Sequence, residues 1–402
     1  MNSEQRGSKS WNMRILIVDD NPMNITVVQE MLKRAGYRNV QSASSGDELF
    51  KLFGLNERGE DHSDTNMPLP EPEYDLILLD MMMPRIDGIT ACRALQQSER
   101  LRDIPIIMVT AIGDSKKLAE ALDAGAIDYV TKPINKIELL ARIRVALRLK
   151  EEKDWHKERD RRLREELRLA REVQTAALPH PVDEADIAIN SIFCPSEELA
   201  GDLYAWYRID EHRYGIAVID AMGHGISSSL VCMFIASVLK DAMAKLIDPE
   251  RVVRELNRRA LQLQFADQLI QYYYTGIYML VDVKAGIVEY VNAGHPPGLL
   301  LRADKRTERL EGGGPAIGVF DDIQLEKRTI QIGSGDKIVL ITDGLIDVMD
   351  GEEEEKLDML FARLAETNGE DAPTIWENDL FSNNSQASRS DDRCLVYMHM
   401  KG

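Results

Sequence analysis

Cysteine is scarce in this 402-residue chain: four residues, Cys92, Cys194, Cys232 and Cys394, lie far apart and none forms a CxxC pair. That excludes a disulfide framework and a CxxC-type zinc site, and it suits a reducing cytosol. Long apolar runs are lacking too. The longest, Leu230 to Leu239, falls well short of the roughly 20 residues a bilayer-spanning helix needs. The polar start MNSEQRGSKSW has no apolar centre of the signal-peptide kind, so no membrane partner and a cytoplasmic location are expected. Basic residues are in deficit, with 49 Lys and Arg against 68 Asp and Glu and a net charge of −19. A duplex-binding module needs a basic face to neutralise phosphates, so no nucleic-acid partner is expected. What remains, 44% hydrophobic and 29% charged residues with 15 prolines, is the composition of a globular protein of two or three domains.

From Arg14 to about Leu149 short aliphatic runs (Ile15 to Val18, Leu76 to Leu79, Ile104 to Val109, Tyr129-Val130) alternate with helical stretches. That pattern predicts a doubly wound α/β domain over 12–148, with reactive residues at the carboxyl ends of parallel strands. The acid- and proline-rich segment 56–73 interrupts it as a surface loop. A charged helix follows: 15 of the 19 residues from Lys150 to Arg168 are charged, with i,i+4 pairs such as Glu158 to Arg162. Leu163, Leu167, Ala170, Gln174 and Ala177 recur at spacings of four and three, a short heptad seam. Segment 149–180 is therefore a helical linker, either a solvated connector or a dimerising coiled coil that makes the protein a homodimer. Over 181–402 the strand-like runs Ile187 to Cys194, Tyr214 to Asp220, Tyr272 to Val283, Ile287 to Asn292, Lys337 to Thr342 and Cys394 to Met400 flank two helical stretches, Ile226 to Lys245 and Pro249 to Gln268. Strands grouped around a helical pair predict an α+β sandwich. No internal repeat is present.

In the first domain Asp19 and Asp20 end the first strand, Asp80 the third, Thr110 the fourth and Lys132 the fifth. Three carboxylates in one cleft require a cation, and oxygen-only ligands suit Mg²⁺. An aspartate beside Mg²⁺ can attack a phosphoryl donor while an ammonium balances the charge. The segments VDDNPMN (18–24), LLDMMMPRIDG (78–88), VTA (109–111) and YVTKP (129–133) resemble the response-regulator receiver domains of two-component signalling. The resemblance implies Asp80 as phosphoacceptor, Asp19 and Asp20 with the Met82 carbonyl as Mg²⁺ ligands, Thr110 and Tyr129 as a switch pair, Lys132 as the phosphoryl contact, and a cognate histidine kinase as partner.

The carboxyl-terminal half carries acids at Asp202, Asp220, Asp343 and Asp391-Asp392, each at a strand boundary or glycine turn. Any one alone is an ordinary turn or cap residue. Together they are a way to build a two-metal carboxylate cluster that activates water for attack on a phosphoryl group. No GxSxG, reactive-cysteine context or P-loop offers another chemistry. AGDLYAW (200–206), VIDAMGHG (218–225), NAGHPP (292–297), GGGPAIGV (312–319), ITDGLID (341–347) and SDDRCLV (390–396) resemble the SpoIIE-like, PPM-type serine/threonine phosphatases, and LRLAREVQTAALP resembles that family's approach segment. The resemblance spans 165–401 and implies a β-sandwich holding two Mn²⁺ or Mg²⁺ through Asp202, Asp220, Asp343 and Asp391. The Ala221 carbonyl is an additional ligand, and Asp392 either joins the metal set or lies behind it. Ala221-Met222 departs from the small or polar residues expected there, and Ala200 stands where a second glycine is frequent before Gly201. His224 and His295 are either structural or proton donors. The implied substrate is a phosphorylated anti-anti-sigma protein of the STAS type.

The expected protein is a response regulator whose Asp80 phosphorylation controls a metal-dependent phosphatase. A catalytically inactive scaffold that binds an anti-sigma pathway partner is the alternative, which metal-dependent turnover distinguishes. A DNA-binding regulator is a further rival that lacks a basic recognition helix.

Overall fold

Leu76–Asp80 buries five consecutive side chains, which only a strand covered on both faces can do. In the computed structural model this segment is β3, the centre of a five-stranded parallel sheet. The structure describes residues 12–61, 74–111, 115–223, 225–263, 272–367, 372–381 and 391–401. The chain divides into two units, Met1–Leu163 and Arg164–Gly402.

In the first unit the strands are β1 (Arg14–Val18), β2 (Asn39–Ala43), β3, β4 (Ile106–Ala111) and β5 (Asp128–Lys132). The helices are α1 (Pro22–Arg34), α2 (Gly46–Phe53), α3 (Gly88–Gln97), α4 (Ser115–Asp123) and the start of α5 (Lys136–Ala177). The sheet order is β2-β1-β3-β4-β5. Side chains alternate between two cores: Ile15, Ile17, Leu76, Leu78, Ile107 and Val109 pack with α1 and α5, whereas Leu16, Val18, Ile77, Leu79, Ile106 and Met108 pack with α2, α3 and α4. This is the doubly wound α/β fold. The strand order reverses between β1 and β3, so a crevice opens at their carboxyl ends. β2, too polar to register as an aliphatic run, is an edge strand. Residues 62–73 of the acid- and proline-rich segment lie outside the described residues.

α5 is a single helix of 42 residues. Its Leu139, Ile143, Ala146 and Leu147 complete the first core. One turn farther, Asp103, in the connection between α3 and β4, pairs with Lys153 (2.5 Å) and Lys157. In the second unit Gln174 near the end of α5 is buried, donating to the Ala200 carbonyl (2.8 Å) and accepting from the Ala200 N–H (3.0 Å). This corrects the heptad reading at that position: Gln174 faces its own unit, because a buried amide is satisfied there by both backbone groups of one residue.

The second unit holds two antiparallel sheets. One has the order β14-β11-β10-β9-β8 and the other β13-β12-β15-β16-β7-β6. Their ranges are β6 (Val182–Asp183), β7 (Ile187–Cys194), β8 (Asp202–Arg208), β9 (Arg213–Ala221), β10 (Tyr274–Asp282), β11 (Ile287–Ala293), β12 (Gly298–Leu301), β13 (Thr307–Leu310), β14 (Arg328–Gln331), β15 (Lys337–Ile341) and β16 (Arg393–Met400). Tyr204, Trp206, Ile216, Val218, Leu340 and Val396 interdigitate between the sheets. The alternate residues Leu203, Ala205, Ala217 and Ile219 pack against α6 (Ile226–Leu246) and α7 (Pro249–Ala260). On the far side Val339, Ile341 and Leu395 pack against α8 (Gly344–Asp347), α9 (Glu353–Glu366) and α10 (Ala372–Trp376). The result is a helix–sheet–sheet–helix sandwich.

Some boundaries differ from expectation. α7 ends at Ala260 rather than Gln268, and residues 264–268 lie outside the described residues. β8 escaped a periodicity reading because its first five residues are all buried, one set against each layer. Although its longest apolar run is short, α6 as a whole is long and apolar enough by length and composition to cross a membrane. Here its Val231, Cys232, Ile235 and Leu239 cover the sheet, as a core helix does.

Candidate functional sites

Parallel strands β1, β3, β4 and β5 deliver their carboxyl ends to one edge, and with them Asp19, Asp20, Asp80, Thr110 and Lys132. Oxygens of Asp19, Asp20 and Asp80 lie within 4.8 Å of one another. Lys132 Nζ sits 2.9 Å from Asp19 and 2.5 Å from Asp80. Burial pushes the Asp80 carboxyl above its ordinary range, with Lys132 partly offsetting and Asp19 reinforcing the shift. One ammonium does not neutralise three carboxylates, so the oxygen-only set fits a hard divalent cation. The Met82 N–H donates to Asp80 (3.2 Å). Gly88 opens α3 against this turn: a Cβ there would stand 2.1 Å from the Asp80 carbonyl oxygen, so only glycine permits the close approach. Thr110 Oγ1 is buried beside Met81 Sδ (3.4 Å) and donates to the Ala111 carbonyl (3.2 Å). Half-buried Tyr129 lies beneath the Arg142 guanidinium, 5.4 Å from its ring centre, and Arg142 is held by Asp128 and Glu138. Sequence reasoning did not single out Arg142, since one arginine on a basic helix carries no distinguishing signal.

The second site is assembled by antiparallel pairing. The start of β8 neighbours the end of β9, and Asp202 stands directly across from Asp220. The end of β15 neighbours the start of β16, with Ile341 across from Leu395, so Asp343 and Asp391 follow and precede paired residues. Asp202 shares strand parity with Tyr204, and Asp220 with Val218, so both acids project into the seam between the sheets at its end. Gly344, just after Asp343, is another close approach: a Cβ would fall 2.0 Å from the Asp392 carbonyl oxygen.

Crowding of these acids is written in their proton affinity. Burial and the neighbouring Asp343, Asp391 and Asp392 charges raise Asp220 to about 8. Burial and Asp391 raise Asp343 to about 6. Asp202 is pushed up by burial first and by Asp220 second, and its Oδ2 is buried without a hydrogen-bond partner. An orphaned carboxylate oxygen among like charges is costly unless a cation pairs with it, so the acids fit divalent metal. They are more widely spread than those of the first site: among the described residues only the Asp19, Asp20 and Asp80 group brings three oxygens within 4.8 Å.

Of the two expectations for Asp392, the structure favours the position behind the metal set. Its Oδ1 accepts from the Ser196 N–H (2.7 Å) and hydroxyl (3.0 Å), and its Oδ2 from the Gly201 N–H (2.6 Å). Both oxygens are committed to donors, so Asp392 anchors the 196–201 loop that leads into Asp202. Thr342, which sequence reasoning passed over, hydrogen-bonds Asp202 through its side chain and accepts from the Cys394 N–H (3.0 Å). His295 is buried, with Nδ1 3.0 Å from Thr275 Oγ1 and its backbone N–H donating to Asn292 Oδ1 (2.9 Å). Burial lowers its pKa to about 3, which favours the neutral ring. His224 lies outside the described residues. Cys232 and Cys394 are buried with thiol pKa values pushed up by desolvation and nearby carboxylates, which leaves no reactive thiolate.

Comparison with known proteins gives two family matches. Residues 15–144 match the response regulator receiver domain, and residues 210–401 match Stage II sporulation protein E (SpoIIE). The phosphoserine phosphatase RsbP of Bacillus subtilis is 37% identical over 182 residues, 45% of this chain and 45% of RsbP. The transcriptional regulator RpaA of Synechocystis is 40% identical over 135 residues, 34% of this chain and 49% of RpaA. The chain thus spans about half the length of the curated relatives it matches. Among solved structures, the RsbU and RsbW domains of Rv1364c from Mycobacterium tuberculosis superimpose with a TM-score of 0.48 at 21% identity, over 56% of this chain and 62% of that one.

Proposed function

Since one chain joins a response-regulator receiver domain to a SpoIIE-family domain of PPM phosphatase type, we propose that phosphorylation of Asp80 controls a metal-dependent protein serine/threonine phosphatase. The observation that carries this reading is the convergence of Asp202, Asp220 and Asp343 with proton affinities raised by burial and mutual repulsion. In the receiver, Asp19 and Asp20, with the Met82 carbonyl, hold Mg²⁺, and Asp80 takes the phosphoryl group from a cognate histidine kinase. Lys132, which touches both Asp19 and Asp80, contacts the phosphoryl oxygens. Thr110 and Tyr129 respond to them.

In the second domain Asp202, Asp220, Asp343 and Asp391, with the Ala221 carbonyl, hold two Mn²⁺ or Mg²⁺. The ions supply water activation and neutralise phosphoryl charge. The chain's own part is to orient the acids: Thr342 holds Asp202, and Asp392 holds the loop before it. Neither buried thiol competes as a nucleophile. The substrate is a serine-phosphorylated STAS-type anti-anti-sigma protein, whose dephosphorylation would let it capture an anti-sigma factor in the cytoplasm.

Control runs along α5. Leu149 and Leu163 remain exposed on it, two heptads apart in one seam, which supports pairing with the helix of a second copy upstream of Gln174. The test is dephosphorylation of a serine-phosphorylated STAS protein by the full chain with Mn²⁺, with and without acetyl phosphate. Turnover that changes with the donor is expected. Metal-independent turnover, or no turnover in either condition, refutes the proposal.

A further inference from the structure

The carboxylates of the second unit can hold metal and, through it, a phosphoryl group, but they offer nothing to distinguish one phosphoprotein from another. Discrimination has to come from the rim. That rim is apolar. Met222 follows Ala221 directly, and Ile226 and Leu230 continue along the solvent side of α6, with 38%, 52% and 65% of their surface exposed. Their opposite face is already used: Val231, Cys232 and Ile235 pack on the sheet. On the other flank the Met222 N–H donates to the Tyr273 carbonyl (3.1 Å). Gly318 lies so close to Tyr273 that a Cβ would stand 3.5 Å from its Cα, which puts Val319 and Phe320 beside it. Tyr273, Val319 and Phe320 are exposed as well. Six large apolar side chains thus stand exposed on the segments that form this strip, joined at its middle by the Met222–Tyr273 backbone hydrogen bond, and exposed apolar groupings of this kind mark interaction sites.

We propose that this strip is the substrate-docking surface, and that it selects phosphoproteins whose phosphorylated serine or threonine is flanked by aliphatic side chains. The proposal rests on the phosphatase reading. The strip begins one residue from Ala221 and two from Asp220, so any protein that brings a phosphoryl group to the acids lies across it. A second copy seated there would close the site instead. Burying the strip under aliphatic neighbours removes apolar surface from both partners, whereas polar neighbours gain nothing from it.

The test uses the full chain with Mn²⁺ and three probes: p-nitrophenyl phosphate, a phosphoserine peptide flanked by Leu and Val, and one of equal length flanked by Ser and Gly. Wild type should favour the aliphatic peptide about tenfold in kcat/KM, mostly through KM. Leu230→Gln and Phe320→Ser should each reduce that preference to about twofold or less and leave p-nitrophenyl phosphate hydrolysis within about twofold of wild type. Equal wild-type rates on the two peptides overturn the docking surface. So do variants that keep the preference or that lose p-nitrophenyl phosphate hydrolysis in parallel. Failure of wild type to hydrolyse any of the three overturns the phosphatase reading itself.

Discussion

Replacing Asp392 with alanine should destabilise what replacing Asp391 leaves standing, although the two acids are adjacent. Asp392 is 1% exposed and accepts from the Ser196 N–H, the Ser196 hydroxyl and the Gly201 N–H. Ser196 is only half-buried, so water can replace its lost acceptor. Gly201 is buried, and its N–H would be orphaned. Hydrogen bonds to an ionised acceptor contribute about 1.5–3 kcal/mol each, and an orphaned donor costs about 1–3; with rehydration at Ser196 the net loss is about 3 kcal/mol. For a unit of this size that lowers Tm by roughly 6–12 °C. Asp391→Ala removes one of several repelling acids, so without metal its Tm should match or exceed that of wild type. The assay is calorimetry in EDTA and again with Mn²⁺, since a ion that binds only the native state raises Tm. Asp392→Ala should melt early yet retain a metal-induced gain, whereas Asp391→Ala should melt normally and lose the gain. If Asp392→Ala melts like wild type in EDTA and forfeits the metal response, Asp392 is a ligand and the anchoring argument fails.

Asp80→Asn should abolish labelling by a radioactive acyl-phosphate donor with Mg²⁺; a variant labelled as well as wild type removes Asp80 from the phosphoacceptor role. Asp220→Ala should eliminate phosphatase activity as completely as EDTA does, and undiminished turnover in excess chelator contradicts the metal mechanism. Asp103 is held down to about 2, since hydrogen bonds from Lys153 and Lys157 outweigh the opposing effect of burial. Its contribution is therefore full above the unfolded value near 3.8 and is lost as pH falls toward 2. With both lysines largely exposed the contribution is about 1 kcal/mol, and Asp103→Asn should speed amide exchange across 150–160 at pH 7 but not at pH 2. Paired Leu163→Glu and Leu167→Glu changes should reduce the mass in solution and the response to receiver phosphorylation while basal turnover persists; unchanged assembly and response contradict the coiled-coil route.

Much of this chain was open to a reading by residue order alone. β1, β3 and β4 of the receiver are apolar through their buried length up to the polar residues at their carboxyl ends because both faces are covered, and such runs stand out without any structure. The acids that follow them gather at one edge because parallel strands all end on the same side. The order of acids in the second half likewise indicated metal chemistry, although each alone is an ordinary turn residue. Periodicity did not reach β8, β12, β13 and β14, which are short or buried on both faces, nor β2, which is polar at an edge. Only the tertiary structure separated Asp391 from Asp392: neighbours in sequence, they differ in which backbone N–H groups surround them, and those around Asp392 belong to residues 196 and 191 positions away. It also turned Gln174 inward, where heptad spacing had placed it in a seam, because the Ala200 N–H and carbonyl were available to satisfy its amide. His295 was undecided by sequence, and its burial beside Thr275 favours the neutral ring. Covalent order determined which chemistry the chain can perform. Packing decided which of several similar side chains is free to perform it, because desolvation and hydrogen-bond commitment are properties of surroundings that no single residue carries.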